Sequence, residues 1–448
     1  MKAIIPIFGL LLVGCHQPDQ TVNNDYWKPI YPEQYQSWKA TDTQDQRDDV
    51  LAEHPKMVVL WAGTPYSKQF NSPRGHRFAV ADVSHTLRTG TVKEGENQLS
   101  ASCWSCKTPN MPELVKQMGE AEFTSSGFHD VAPKMANTIG CADCHQGDNH
   151  ELAITRPHAI KAMAKNHQPF EKQDHNWQGA QTCGQCHVTY YFQSENHNKV
   201  NIPWIFGSTA EEILKYYDTR RYYEWLHPIS QAPMLKARHP EYETWSRSDH
   251  AKQGVTCVSC HMAPTESDDG QPGHSHQVTD AISNFDSVCS ACHDSESALT
   301  QQLADNKARI STLRDHVETQ LLKAHFDAQA AWKAGANWSQ MSDALVSIRR
   351  SQWYWDFAIA SHGIHAHNPK EALADLNTAM QLVEEARLQL GALHRQLKVA
   401  EVDYPTINSK AQAQELIGLN VEALTQEKQR YIESEVAKHW PEAAMRGY

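Results

Sequence analysis

The chain has 448 residues, with 41 Lys+Arg against 53 Asp+Glu and a formal net charge of −12. Net acidity without a Lys/Arg block argues against a nucleic-acid partner. The lack of any apolar run of about 18 residues argues against a transmembrane helix. Mean hydropathy is −0.63, polar for this length. The counts of 11 Cys and 26 His imply that something other than ordinary side-chain packing fills the interior.

At the N-terminus, Lys2 precedes an apolar stretch over residues 3–13. This is too short to span a bilayer but suits the h-region of an export signal. Leu12-Val13-Gly14-Cys15 is similar to a bacterial lipobox, which would make Cys15 the lipidated first residue of the mature chain. Ordinary cleavage nearby, with loss of Cys15, is the alternative. Residues 1–14 thus read as a lipoprotein signal and residues 15–29 as a polar tether. The mature protein is expected in the oxidising periplasm, lipid-anchored to a membrane.

The other ten cysteines form five C-x-x-C pairs: Cys103/Cys106, Cys141/Cys144, Cys183/Cys186, Cys257/Cys260 and Cys289/Cys292. His145, His187, His261 and His293 follow four of them directly, and Lys107 follows the first. C-x-x-C-H is the attachment signature of c-type haem: two thiols add to the vinyl groups and the adjacent imidazole reaches the iron. Disulfides would tolerate any residue after each pair. Zinc sites join two C-x-x-C units at about 15–20 residues, whereas these pairs start 38, 42, 74 and 32 residues apart. The irregular spacing also excludes a tandem repeat. Five covalent haems are expected as part of the interior, and their axial positions explain the surplus of His.

Cys103-Trp104-Ser105-Cys106-Lys107 differs in the residue that would meet iron. An amine must lose a proton before its lone pair can bind a metal, so burial and the metal must lower its pKa by several units. The bland alternative leaves Lys107 at the surface and another group on the iron. A carrier haem gains nothing obvious from lysine. A haem with an open sixth position, binding a small molecule, would gain a different reactivity.

That motif, followed by four C-x-x-C-H motifs in this order, resembles the pentahaem, ammonia-forming cytochrome c nitrite reductases. Trp61-Ala62-Gly63, Pro73-Arg74-Gly75-His76, Leu87-Arg88-Thr89-Gly90, Pro233-Met234-Leu235-Lys236, His239-Pro240-Glu241-Tyr242-Glu243 and Ser361-His362-Gly363-Ile364-His365 also look like family segments. The resemblance runs from about residue 30 to the C-terminus. It implies a respiratory six-electron reduction of nitrite to ammonium, with hydroxylamine and sulfite as further substrates. Arg88, Tyr190 and His239 match the catalytic pocket positions, with Lys107 on the reactive iron. By the family pattern His76 joins the iron of His187, His276 that of His145, His367 that of His261, and His250 that of His293. His274, His362 and His365 are nearby alternatives, and the string over residues 361–367 would also suit an adventitious metal patch. A non-catalytic multihaem electron-transfer lipoprotein is the competing reading, against which Lys107 counts. A different multihaem reductase is a third.

The family commonly binds calcium through a Glu before the catalytic Tyr, the Tyr carbonyl, a Lys carbonyl and a Gln side chain. Here Thr189 replaces the carboxylate and Arg238 the amide. Calcium wants hard oxygen ligands, so calcium is expected to be absent. The Arg238 guanidinium would take its place, unless Arg238 points to solvent and another residue rescues the metal.

Residues 30–295 read as a pentahaem-binding catalytic region of short helices and loops. Within it Ser208 and Glu211 form a capping box that opens a helix to about residue 225. Residues 296–448 read as a long-helix region on the same core. Leu299, Leu303, Ile310, Leu313, Val317 and Leu321 predict one helix ending near Gly335. A second is expected over about residues 342–361. A third is capped by Asn368 with Pro369 at its first position, and a fourth pattern follows Ser409 through Leu416 and Leu424. The expected class is mainly α, with few or no strands. The resemblance adds a homodimer formed through the long helices. It also adds a multihaem or quinol-linked cytochrome as electron donor.

Overall fold

Five clusters of cysteine leave little room for long regular elements, and up to residue 295 no described helix exceeds ten residues. This computed structural model describes residues 20–43, 46–92, 99–147, 149–166, 169–266 and 270–439. The expected signal segment and Cys15 lie outside them. Four two-stranded antiparallel ribbons are the described sheet structure. None of the described helices is long and apolar enough to cross a membrane.

The tether expected over residues 15–29 is docked from residue 20 onward. Asn24 is 3% exposed. Its amide donates to the Thr138 carbonyl at 3.1 Å and its oxygen accepts from the Cys141 N–H at 3.2 Å. A Cβ on Gly140 would lie 1.9 Å from that oxygen, so only glycine admits the contact. Polar composition suggested a free segment, but the polar atoms are spent on fastening the second cysteine motif.

The last third is built on three helices, Glu296–Lys333, Trp338–Ala360 and Pro369–Leu397. At 1.5 Å per residue the first is about 57 Å long. The second begins four residues before the expected start, because Asn337 caps it in a reciprocal box with Gln340. The third opens with Asn368 as N-cap and Pro369 inside, as its local chemistry requires. The capping box after residue 208 is shifted by one: Thr209 and Glu212 form it, and the helix is Ala210–Thr219. The fourth pattern is two helices, Lys410–Leu416 and Val421–Tyr431, parted at Gly418 with φ +76°.

Three apolar cores hold these parts together. The largest joins Val317, Leu321, Ile348, Trp355, Leu376 and Val383 of the long helices to residues 57–61 near the front of the chain. A second surrounds Tyr191, Trp204, Tyr217 and Tyr242. The third encloses Trp104 and Phe128, stacked at 4.5 Å, and is closed by Tyr431 and Val436 from the chain's end. The first cysteine motif is therefore packed between the front and the very back of the sequence.

Candidate functional site

The cysteine motifs converge. No described cysteine is in a disulfide. The Cys106 thiol contacts that of Cys186, and Cys183 contacts Cys257. Cys144 lies near Cys183, and Cys260 near Cys289. The first, third, fourth and fifth motifs thus form a connected series, with the second beside the third. Arg156, 0% exposed, fastens three of them through their middle residues. It donates to the Ser105 carbonyl at 2.7 Å and the Thr108 carbonyl at 3.0 Å, and pairs with Asp143. Gln185 completes the hub, donating to the Asp143 carbonyl at 2.9 Å and accepting from the Thr155 and Arg156 N–H groups.

Cys292 stands apart from the other attachment cysteines. It is exposed, whereas the other nine motif cysteines are partly buried. The reason is its place in the fold. The fifth motif lies between the short helix Phe285–Val288 and the N-terminus of the helix Glu296–Lys333. Its neighbours Ser290, Ala291 and Asp294 are exposed as well. This end of the series therefore sits at the protein surface, and only Cys289 and His293 of the motif turn partly inward.

Each motif histidine faces a second imidazole. Ring centroids are 6.2 Å apart for His76 and His187, and 6.3 Å for His145 and His276. They are 6.3 Å apart for His250 and His293, and 6.1 Å for His261 and His367. A metal–nitrogen bond of about 2.0–2.1 Å, plus about 1.1 Å to the ring centre, separates opposed imidazoles on one metal by about 6.3 Å. These residues fit bis-imidazole haem. Burial pushes His187 down to about 3 and His276 and His367 to about 4, keeping them in the neutral form that ligates metal. The Nδ1–H of His145 donates to the His150 carbonyl and that of His261 to the Thr279 carbonyl, each at 2.8 Å. Both bonds leave Nε2 free for a metal. Gly363, at φ +68°, lets the chain pass beside the His367 ring; a Cβ there would come within 3.1 Å of it. Among the alternatives, His274 stacks on His276 at 4.9 Å rather than on a motif histidine. His362 instead lies 5.7 Å from His239.

The first motif gathers different company. Charges nearest the Cys103 thiol are Arg238, Arg88 and Lys107, and burial pushes that thiol up to about 11. Tyr190 adjoins Tyr66, Arg238, Cys106 and Cys103, and burial raises its phenol well above the ordinary value. His239 feels His362, Lys107, His187 and Lys236, and burial holds it well below the usual imidazole range. His239 also has φ +52°, a left-handed backbone that is uncommon for a residue with a side chain. Its Nδ1 lies 3.9 Å from Glu241 Oε1. Burial lifts Glu241 to about 8. Arg88 sits with its guanidinium carbon 5.3 Å from the Tyr66 ring centre.

Arg238 is 7% exposed and does not point to solvent. It donates to the Tyr190 carbonyl at 3.3 Å, the Lys236 carbonyl at 3.2 Å, the Tyr66 hydroxyl at 3.2 Å and Glu224 Oε1 at 2.9 Å. Glu224 Oε2 closes a second bond of the ion pair. Glu224 precedes the ribbon that pairs Trp225–Leu226 with Pro233–Met234, and its Oε1 also accepts from the Lys236 N–H at 3.0 Å. Thr189 accepts from the Arg238 N–H at 3.3 Å, and its own N–H donates to Glu243 at 2.9 Å. Lys236 and Asp356 form a buried ion pair of 2.7 Å beneath.

Sequence reasoning missed Arg156, Glu224, Tyr66 and Glu241 as site residues. Arg156, Glu224 and Tyr66 are isolated residues without a local pattern, and Glu241 lies in the segment His239-Pro240-Glu241-Tyr242-Glu243 without a role assigned to it. Only the polar middle positions of two cysteine motifs, Asp143 and Gln185, hinted that something polar must meet them.

The family model described as cytochrome c552 matches residues 23–446. A solved structure of cytochrome c nitrite reductase from Desulfovibrio desulfuricans, described with two calcium sites in its catalytic subunit, is 24% identical. It covers 95% of each chain, with a TM-score of 0.77. The outer cell wall cytochrome OcwA matches at 13% identity over 80% of this chain and 99% of its own, with a TM-score of 0.27.

Proposed function

Since the chain belongs to the cytochrome c552 family, we propose that it is a respiratory, ammonia-forming nitrite reductase with five c-type haems. One asymmetry carries this reading. Four C-x-x-C motifs have a histidine faced by a second imidazole, while the motif ending in Lys107 is surrounded by Arg88, Tyr190, Arg238 and His239.

When bound, the haems supply single electrons and an iron with an open coordination position. The protein's part is electrostatic and protonic. Nitrite is a small anion, and the Arg88 guanidinium offers a positive charge and a planar fork of donors. Fixed donors aimed at developing charge are worth more in a buried pocket than in water. His239, kept neutral, can donate to an oxygen from one nitrogen and accept a proton at the other. Glu241, held protonated near neutrality, lies on its Nδ1 side. The Tyr190 phenol stays protonated and serves as a donor.

Arg238 supports the calcium-free reading: its guanidinium bonds the same two carbonyls, of Tyr190 and Lys236, that the family offers to calcium. It supplies positive charge beside the pocket without a metal. A periplasmic location, a lipid on Cys15, and hydroxylamine and sulfite as further substrates belong to the same proposal. So does a homodimer through the long helices, on which Leu388 is 75% exposed. The electron donor would be a multihaem or quinol-linked cytochrome.

The test is nitrite reduction by a reduced viologen dye with ammonium quantified, on wild type and Lys107→His. Wild type should form ammonium, and the variant should lose at least about tenfold in turnover, about 1.4 kcal/mol in barrier, with altered haem spectra. A wild type that forms no ammonium is the electron-transfer lipoprotein instead. Unchanged turnover and spectra in the variant would make the lysine incidental.

A further inference from the structure

Arg88 lies in a single 3-10 turn, Leu87–Thr89, and such a short element holds a side chain only as well as its ends are held. The front end is held by Gln69, whose Oε1 accepts from the Leu87 N–H at 2.7 Å and the Thr86 hydroxyl at 3.3 Å. The back end is held from the far end of the chain. Lys428, on the helix Val421–Tyr431, donates to the Thr89 hydroxyl at 3.0 Å and the Gly90 carbonyl at 2.7 Å. His129 Nε2–H donates to the Thr89 carbonyl at 3.2 Å, and its Nδ1 accepts from the Tyr431 hydroxyl at 2.8 Å. Three successive polar groups of the turn's exit are therefore bonded, directly or through His129, to one face of one helix.

Lys428 is 3% exposed, an unusual place for a lysine, and both of its amine hydrogen bonds go to this turn. Gly90 has φ +61°, the conformation that turns its carbonyl toward the helix and that glycine adopts without strain. Burial pushes the Lys428 amine down to about 7. A neutral amine still has two N–H donors for its two acceptors, so the grip does not depend on charge.

We propose that Lys428 is a positioning residue for anion binding: through Thr89 and Gly90 it fixes the turn so that Arg88 meets nitrite in place. This rests on the reading of Arg88 as the nitrite-binding cation. Lys428 touches no substrate, and its effect passes through Arg88 alone.

The experiment compares full-length holoenzymes: wild type, Lys428→Met, Lys428→Arg, Arg88→Gln, and the Lys428→Met/Arg88→Gln double variant. Haem content and low-spin spectra verify loading, and kcat and KM are measured for nitrite and for hydroxylamine, uncharged at slightly alkaline pH. Lys428→Met should raise KM for nitrite several-fold with kcat and hydroxylamine KM little changed, and Lys428→Arg should restore most of it. In the Arg88→Gln background Lys428→Met should add nothing. If Lys428→Met fails to load its haems, Lys428→Gln carries the same comparison. Independent, multiplying effects in the double variant, or equal losses for both substrates, overturn the positioning role. So does an unchanged nitrite KM in Lys428→Met while Arg88→Gln is impaired. A normal nitrite KM in Arg88→Gln overturns the reading of Arg88 itself, and this proposal with it.

Discussion

Removing the Arg238 guanidinium should harm the protein more than removing the whole ion pair. Arg238 side-chain exposure is 7% and that of Glu224 is 14%, so Arg238→Gln leaves a carboxylate largely out of water. It would face the Tyr190 and Lys236 carbonyls that the guanidinium now satisfies. Breaking one side of a buried pair typically costs about 3–5 kcal/mol, because the remaining charge is uncompensated. Replacing both partners, as Arg238→Gln/Glu224→Gln, removes that charge and leaves only imperfect hydrogen bonds, about 1–2 kcal/mol. The double variant should therefore be about 2 kcal/mol more stable than the single one, measured by side-by-side urea denaturation of holoprotein. A second signature follows from ligand chemistry. The single variant presents a carboxylate, two carbonyls and an amide oxygen, a hard-oxygen set of the kind calcium prefers. Added calcium should raise its unfolding midpoint and leave wild type unmoved. Strictly additive losses would refute this account, as would a single variant as stable as wild type. Stoichiometric calcium retained by wild type after chelation would refute it equally.

The imidazole pairs predict spectra. His367→Ala should convert one low-spin haem to high spin by magnetic circular dichroism, whereas His365→Ala should not; the reverse would move the ligand. The same contrast holds for His276→Ala against His274→Ala. Glu243 predicts a pH effect. It is 0% exposed, accepts from Thr189 and Trp204 through one oxygen, and burial lifts it from 4.5 to about 8. A raised carboxyl stabilises the fold fully below its unfolded pKa, and that contribution is lost as pH climbs through about 8, at about 1.4 kcal/mol per unit. Glu243→Gln should thus flatten the stability profile between about pH 4.5 and 8. An unchanged slope in the variant would show that Glu243 is ionised throughout.

What could be read from the sequence follows the range of the physics. Haem attachment and Lys107 were legible because thioether chemistry fixes a spacing of three residues. That spacing says nothing of depth, so the surface position of Cys292 was not legible with it. Asn368 and Pro369 were legible because capping is settled within one turn. The box at Thr209 slipped by one because Ser208 and Thr209 are equally competent caps. Burial of Ala210, Ile213, Leu214 and Tyr217 decided between them, and burial is tertiary. The helix after Ser409 was joined to the next because apolar spacing continues across Gly418. The opposed histidines lie far apart in the chain, so resemblance rather than periodicity suggested their pairing. Arg238 stood out as a cation in place of an amide, yet nothing nearby announced Glu224 across the ribbon.

Arg156 shows why the least legible residues matter to electron flow. Transfer between cofactors depends on how the motifs are placed relative to one another, and thioether attachment alone does not fix that placement, since each pair of thiols serves one haem. The protein must join motif to motif. Arg156, Asp143 and Gln185 do so with buried hydrogen bonds among the middle residues of the first three motifs, the positions that haem attachment leaves free. Low exposure makes those bonds strong and their loss expensive. Two of the variable letters, Asp143 and Gln185, join this hub through their side chains, so changing either removes some of its bonds, whereas Ser105 contributes a backbone carbonyl that any residue would offer.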